Sequence, residues 1–562
     1  MLLFLWLKSL ILGTFYLMKF MNWFYTVSAF FCILAFSLPN HYPPWLTVFQ
    51  ETSMIIAVIT LAIAFLNKSI KIPKIFFLFL GIVSIPIFQY LLGISYYRQD
   101  AFVSASYLFL FWITMILGYN AVNLDKKFDV DSIANENILN NFLNVLIGVS
   151  ILQVWIVLRQ WLLFDGNIWT VDIPIGLRSY GNFGQPNHLA TFLCMGLIAT
   201  LIKFEYKLLS KYTASFIGIF LLIGVVLTQS RTAWIIALTL TIWWGLKGKK
   251  LDLRLTFKYL GLWVGSYYVL IALIRQIARF LGLSDLNMIQ RFNAGYERLS
   301  MWQQVCYAIK QEPFFGYGWG QLRTALMQTV DIYPNAKNFE SAHNLFLDLI
   351  IWNGLPVATV IIGFIFWILI KLYLIKVNKI AFLLLACALP IFIHSLLEYP
   401  LSYAYFLLPF GLILGMVYCV LFQTQNLSTY FINIHVKIIS VCVITLVLMI
   451  FIYEYIYMNS RYQQMRYETA NLKKKVNDVD DSKFYIFTDK IAEYIWLYRL
   501  DVNKPITQED LKRVENLVLV KPDIAVLAKY IQILYKVGDT NKAKKYEKVL
   551  KNFYPPEQLK SY

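Results

Sequence analysis

The chain has 562 residues, 59% hydrophobic and 15% charged, with a net charge of +18 and a mean hydropathy of +0.59. That much apolar side chain exceeds what a water-soluble domain buries, so composition excludes a soluble globular enzyme and indicates a polytopic membrane protein. In such a chain an excess of Lys and Arg reads as basic cytoplasmic loops, so the charge is no argument for a nucleic-acid partner.

Apolar runs of about 17 to 25 residues can cross a hydrocarbon core of about 30 Å. In chain order they fall at 21–38, 52–66, 75–93, 101–119, 140–164, 188–202, 213–229, 231–246, 257–279, 357–375, 380–397, 402–422 and 436–457, which predicts an all-α protein with about thirteen transmembrane helices. Residues 1–20 form an N-terminal lead-in or one further helix. Residues 21–279 hold helices one to nine, 280–356 a large loop, 357–457 the remaining helices and 458–562 a charged C-terminal domain. The stretches NKSIKIPK, LDKKFDV, KFEYKLLSK, LKGKKLDLRLTFK and KLYLIKVNK occur on every second connection and belong to the cytoplasmic side. The large loop and the tail then lie on the outer side.

Cys32, Cys194, Cys387, Cys419 and Cys442 fall in apolar spans and Cys306 in the exported loop, so the sequence offers no disulfide framework. It contains no CxxC pair, no HExxH, no phosphate loop, no dinucleotide fingerprint, and no histidines and carboxylates at metal-ligand spacing. The expectation is chemistry with no bound nucleotide, cofactor or metal.

The polar residues at the outer ends of the spans are the informative ones. Arg98 in SYYRQD, Arg178 in GLRSYGNFGQPNHLA, Arg231 in TQSRTAW, and Arg291 and Arg298 in the long loop put cations where they are otherwise sparse. Each either snorkels to lipid phosphates or clamps an anion, since a guanidinium fork suits a phosphate or diphosphate. In GNFGQPNHLA, Gly184 and Pro186 flank Gln185 and force an irregular backbone at the mouth of a span, and Asn187 and His188 open its first turn; helix capping is the alternative role. A run from His343 to Lys376 is too long for one bilayer crossing, so Gly354 and Pro356 are expected to break it. Ser341 would cap the short helix before the break, with a neutral His343 in its first turn, able to act as a general base or simply hydrogen-bonded in the core. In HSLLEYPLSYAYF, Glu398 could orient His343 or an arginine, and Tyr399 could bond a phosphate or sugar, or anchor the interface. The tail stretch KPDIAVLAKYIQILYKVGDTNKAKKYEKVLKNFYPP reads as one TPR-like helical hairpin, which must pack on the helices from 460 to 500.

In this order, GNFGQPNHLA, TQSRTAW, ERLSMWQQ with PFFGYGWGQ, HNLFLDLIIWNGLP and LEYPL resemble the O-antigen ligase superfamily, and more closely its PglL-type bacterial protein O-oligosaccharyltransferase branch. The resemblance covers roughly residues 20–560. It implies an inner-membrane enzyme with its site and C-terminal domain in the periplasm. A glycan would move from a polyprenyl (undecaprenyl) diphosphate carrier to Ser or Thr of a pilin-like or periplasmic protein, by metal-free inverting displacement. It further implies that His343 is the base, that Arg231 and Arg298 hold the diphosphate, and that Arg178, Gln185, Asn187, Glu398 and Tyr399 line the substrate site. Trp352 stands where many relatives place an acid, which makes Glu398 the expected carboxylate partner. A polysaccharide polymerase or O-antigen ligase of the same superfamily, or a glycan transporter without chemistry, is the alternative reading.

Overall fold

The computed structural model describes residues 23–40, 42–122, 137–164, 166, 169–173, 177–283, 294–333, 337–422, 429–472, 484–554 and 556–559. The lead-in at 1–20 and Arg291 lie outside the described residues. Among the described residues nineteen α-helices are longer than four residues. They are α1 (Trp23–Ser37), α2 (Val48–Ala64), α3 (Leu78–Leu91), α4 (Arg98–Ala121), α5 (Asn137–Trp161), α6 (Pro186–Glu205), α7 (Lys211–Thr228), α8 (Arg231–Lys247), α9 (Phe257–Phe280), α10 (Ala294–Gln311), α11 (Leu322–Gln328), α12 (Leu345–Leu374), α13 (Lys379–Ser395), α14 (Ala404–Phe422), α15 (Ile434–Thr469), α16 (Asp489–Arg499), α17 (Gln508–Val520), α18 (Ile524–Lys536) and α19 (Thr540–Phe553).

Among the described residues nine helices are long and apolar enough to cross a membrane, and α1, α2 and α13 are shorter apolar helices. The protein is therefore a helical, multi-pass membrane protein. Helices α6 and α14 lie mostly inside the bundle, whereas α3, α9, α12 and α15 present most of their surface outward. The closest pairing is α4 against α14. A Cβ at Gly415 would come within 2.1 Å of the Met115 carbonyl oxygen, so only a residue without a side chain lets these backbones meet. At one end of the bundle, β1 (Lys71–Pro73) pairs antiparallel with β2 (Thr429–Phe431), Lys71 opposite Phe431.

At the other end α15 continues out of the bundle into a helical C-terminal domain. Its 36 residues span about 54 Å at 1.5 Å per residue. Met458 and Met465 of α15 share a core with Trp496, Leu517, Leu527, Tyr530 and Val549, so the tail does pack on the helices that precede it. The α18–α19 pair turns at Gly538, and Asp539 caps α19 through the Lys542 N–H. This domain sits on the start of α4, where Asp489 accepts from the backbone N–H groups of Arg98 and Gln99, each at 2.9 Å. Arg98 stacks on Phe484 at 3.8 Å and faces Asp489 at 3.4 Å, which gives it a structural partner.

Candidate active site

The turn that carries His343 is held from both sides. Asp348, in the first turn of α12, accepts from Ser341 Oγ at 2.7 Å and from the Ala342 N–H at 2.8 Å, and Ser341 Oγ accepts from the His343 N–H at 3.0 Å. Trp302 donates to the Ala342 carbonyl at 2.9 Å. His343 itself adopts a left-handed backbone with φ 52°, a conformation that non-glycine residues adopt only when neighbours fix it. The expected Ser341 cap is replaced by Asn344, whose side chain accepts from the N–H groups of Phe346 and Leu347. Ser341 cannot cap because it lies too far ahead of the helix and is already engaged by Asp348. His343 accordingly precedes the first turn of α12. Asp348 is the site residue that sequence reading missed, a lone acid inside LFLDLII, one helical turn before Trp352.

The predicted break in α12 occurs at Gly354, with φ 71° and ψ 168°. The loop after α10 fills it. Tyr317 N–H donates to Ile351 O at 2.9 Å, Gly318 N–H to Trp352 O at 3.0 Å, and Leu355 N–H to Pro313 O at 2.7 Å. Carbonyls freed by the break thus regain donors. A Cβ at Gly354 would meet the Phe314 carbonyl oxygen at 2.2 Å, which explains the glycine.

Glu398, on the turn between α13 and α14, joins the remaining site residues. It is 5% exposed, which without partners would be a costly place for a carboxylate. Gln185 donates to its Oε2, Asn187 donates to Oε1 at 2.5 Å, and Arg298 of α10 approaches Oε1 at 3.5 Å. His394, one helical turn earlier, lies 3.4 Å from Oε2, and its Nδ1 meets Thr191 Oγ1 at 2.9 Å. Asn187 accepts from Ser230 at 2.6 Å, and Ser230 immediately precedes Arg231 at the start of α8. Arg178 donates to the Gln229 carbonyl of the same tight turn at 3.4 Å. The GNFGQ segment is fixed from α5, where Gln160 donates to Gly181 O and Gln153 accepts from the Asn182 N–H.

His343 meets this cluster through Tyr399, its ring edge-on at 5.3 Å between centroids. No hydrogen bond joins His343 to Glu398 among the described residues, so of the two expected roles of Glu398, orienting His343 or an arginine, the geometry supports the arginine. Burial holds the His343 imidazole below its usual pKa; Glu398 opposes this and Arg298 reinforces it. Burial works against ionised Glu398, yet hydrogen bonds from His394 and Asn187 and the nearby imidazoles outweigh it and hold the carboxyl at about 2. Burial raises the Tyr399 hydroxyl, which stays protonated at neutral pH.

His188, distant in sequence, joins His394 and Glu398, one helical turn apart, so that the three place one potential ligand atom each within 4.8 Å of one another. Both Glu398 oxygens already accept hydrogen bonds and His394 Nδ1 faces Thr191, so two of the three are engaged within the protein. His188 is buried against Tyr403 and Phe406, and neither ring nitrogen is hydrogen-bonded among the described residues.

Three family models match this chain in sequence. A protein glycosylation ligase model matches residues 180–201, which include Gln185 and Asn187. An O-antigen ligase model matches residues 216–362, which include Arg231, Arg298 and His343. A model described as virulence factor membrane-bound polymerase, C-terminal, matches residues 382–561. A general O-oligosaccharyltransferase of Acinetobacter baylyi is 31% identical over 518 residues, 89% of this chain and 87% of that protein. The chain belongs to the O-oligosaccharyltransferase family of the O-antigen ligase superfamily. It is a glycosyltransferase. A ComP-specific O-oligosaccharyltransferase of the same organism is also 31% identical, over 73% of each chain. The His343, Arg298 and Glu398 cluster is therefore the natural place to look for the transfer chemistry.

Proposed function

We propose that this transferase moves an oligosaccharide from a polyprenyl diphosphate carrier to a Ser or Thr hydroxyl of a pilin-like or periplasmic protein. The observation that carries this reading is the convergence of His343, Tyr399, Glu398 and Arg298, from three separate elements, at one end of the bundle. His343 takes the hydroxyl proton as a neutral base through Nε2, while its buried Nδ1 has no hydrogen-bond partner among the described residues. The acceptor oxygen attacks the anomeric carbon as the bond to the diphosphate breaks, with inversion. Arg231 and Arg298 hold the departing diphosphate, and their fixed charge offsets the charge it gains. Arg178 steadies the turn that carries Arg231, Gln185 and Asn187 keep Glu398 in place beside Arg298, and Tyr399 offers its hydroxyl to phosphate or sugar. No metal or cofactor has a step in this scheme.

In this reading thirteen helices cross a bacterial inner membrane, with the basic β1–β2 end cytoplasmic and the His343 end and C-terminal domain periplasmic; the TPR-like hairpin is a candidate acceptor-docking surface. The match of residues 382–561 to a polymerase model favours a second acceptor class, a sugar hydroxyl on another lipid-linked chain. Co-expression with a glycan-assembly locus and a pilin, followed by intact-protein mass spectrometry, separates the two. One added glycan on the pilin supports protein transfer, and an unmodified pilin with lengthened lipid-linked glycan supports polymerisation.

A further inference from the structure

A separate cavity of about 250 Å³ lies between α2, α3, α4 and α15, lined by Ile55, Val83, Phe102, Leu110, Val447 and Phe451 among others. Phe487, just before α16, closes one side, so the cavity belongs to the half of the bundle nearest the C-terminal domain. Its polar groups face one another: Trp45 donates to Glu51 at 2.9 Å and Tyr107 donates to the same oxygen at 2.5 Å. Apart from the hydroxyls of Thr52 and Ser106, the rest of the lining is hydrocarbon. Two of its four helices, α3 and α15, present most of their surface outward, toward where lipid lies in a membrane protein.

The inner wall of the cavity leads to the site. The backbone of Ala404 lies against Glu51, at the start of α14. Tyr403, its neighbour, stacks on Tyr399 at 6.1 Å, and Tyr399 meets His343 at 5.3 Å. The start of α14 thus has the cavity on one side and, through Tyr403 and Tyr399, His343 on the other.

We infer that this cavity receives the hydrocarbon tail of the lipid-linked donor while its diphosphate lies beside His343 and Arg298. This rests on the proposed transfer from a lipid carrier and adds where the lipid is gripped. A polar ligand has little to bond here, because Trp45 and Tyr107 direct their donors at Glu51 and the hydroxyls of Thr52 and Ser106 are the other polar side-chain groups in the lining. An apolar chain entering from the membrane matches the walls, and proximity to the reacting groups selects the donor's tail over a bulk phospholipid. Tail binding is felt equally in ground and transition states, so it acts on KM and leaves kcat alone.

The test is transfer kinetics in detergent micelles with a long-tailed and a short-tailed polyprenyl diphosphate donor carrying the same glycan. Val447→Trp fills the cavity from its lipid-facing side, and Ser106→Phe fills it from α4, so a folding defect in one leaves the other. The expected result is a KM for the long-tailed donor raised about tenfold, unchanged kcat, and an unchanged KM for the short-tailed donor. Equal KM changes for both donors, or none, would overturn the assignment. So would loss of co-purified phospholipid from the variants with donor KM unaltered, which would make the cavity a phospholipid site. Wild-type enzyme that transfers from neither donor would remove the lipid-carrier reading itself, and this inference with it.

Discussion

At the end of the bundle that carries β1 and β2, basic side chains turn to carbonyls at helix ends and in loops. Lys379 donates to Asp252 O at 2.9 Å, Lys437 to Lys68 O at 2.8 Å, and Lys247 and Arg254 reach the carbonyls of Tyr373 and Phe204. At the His343 end Arg298 faces the buried carboxylate of Glu398. The first arrangement satisfies C-terminal carbonyls at a wet surface, where a single contact is worth little. The second keeps a guanidinium beside a shielded acid that also binds two amides and an imidazole, so removing one member leaves other buried groups unpaired. The carbonyl contacts of Lys247, Lys437 and Arg254 are interchangeable, whereas Lys379 at the same end, 2.8 Å from buried Glu205, and Arg298 at the other are each tied to a shielded carboxylate.

That contrast can be broken from either side. The largest effect is expected for His343→Ala, which should lower transfer by about 100- to 10,000-fold with the membrane level of the enzyme unchanged, read as glycosylated acceptor per enzyme. Next comes Glu398→Ala, which frees Gln185, Asn187 and Arg298 together; transfer should fall on the order of 100-fold, and thermal unfolding in detergent should begin at lower temperature because buried partners lose their bonds. Asp348→Asn keeps the shape but weakens the hold on Ser341 and Ala342. It should reduce kcat about tenfold with little change in donor KM, since it acts on the placement of the base. At the opposite end Lys247→Ala should leave the transfer rate within about twofold; a loss comparable to that of Glu398→Ala would erase the distinction between the two ends.

Much of this was legible in the sequence because the membrane imposes a simple pattern, and each expected span has a helix at its place. The break at Gly354 could be foreseen, since a run from His343 to Lys376 is too long for one crossing. Gln185 and Glu398 stood out as polar residues at the mouths of apolar runs and Arg298 as a cation in the long loop, and the structure joins them. Asp348 did not stand out, because one acid in an apolar run carries no sign of whether it points at a ring or at a backbone turn. Nor could the cap be assigned between Ser341 and Asn344, since both residue types serve and the choice depends on where Asp348 pulls the chain. His188 and His394 converge only through the packing of α6 on α13, which no local spacing encodes.

The central claim, that a neutral imidazole at position 343 works beside the Arg298 guanidinium, is tested most directly by the pH dependence of kcat/KM in wild type and Arg298→Gln. Burial and Arg298 both lower the His343 pKa, so the base stays deprotonated to below its ordinary value of 6.5, and activity is lost only as the pH falls through that lowered pKa. Taking away the positive charge makes protonation easier, so the acid limb of Arg298→Gln should move to higher pH. Acid limbs that coincide in the two enzymes would contradict the account.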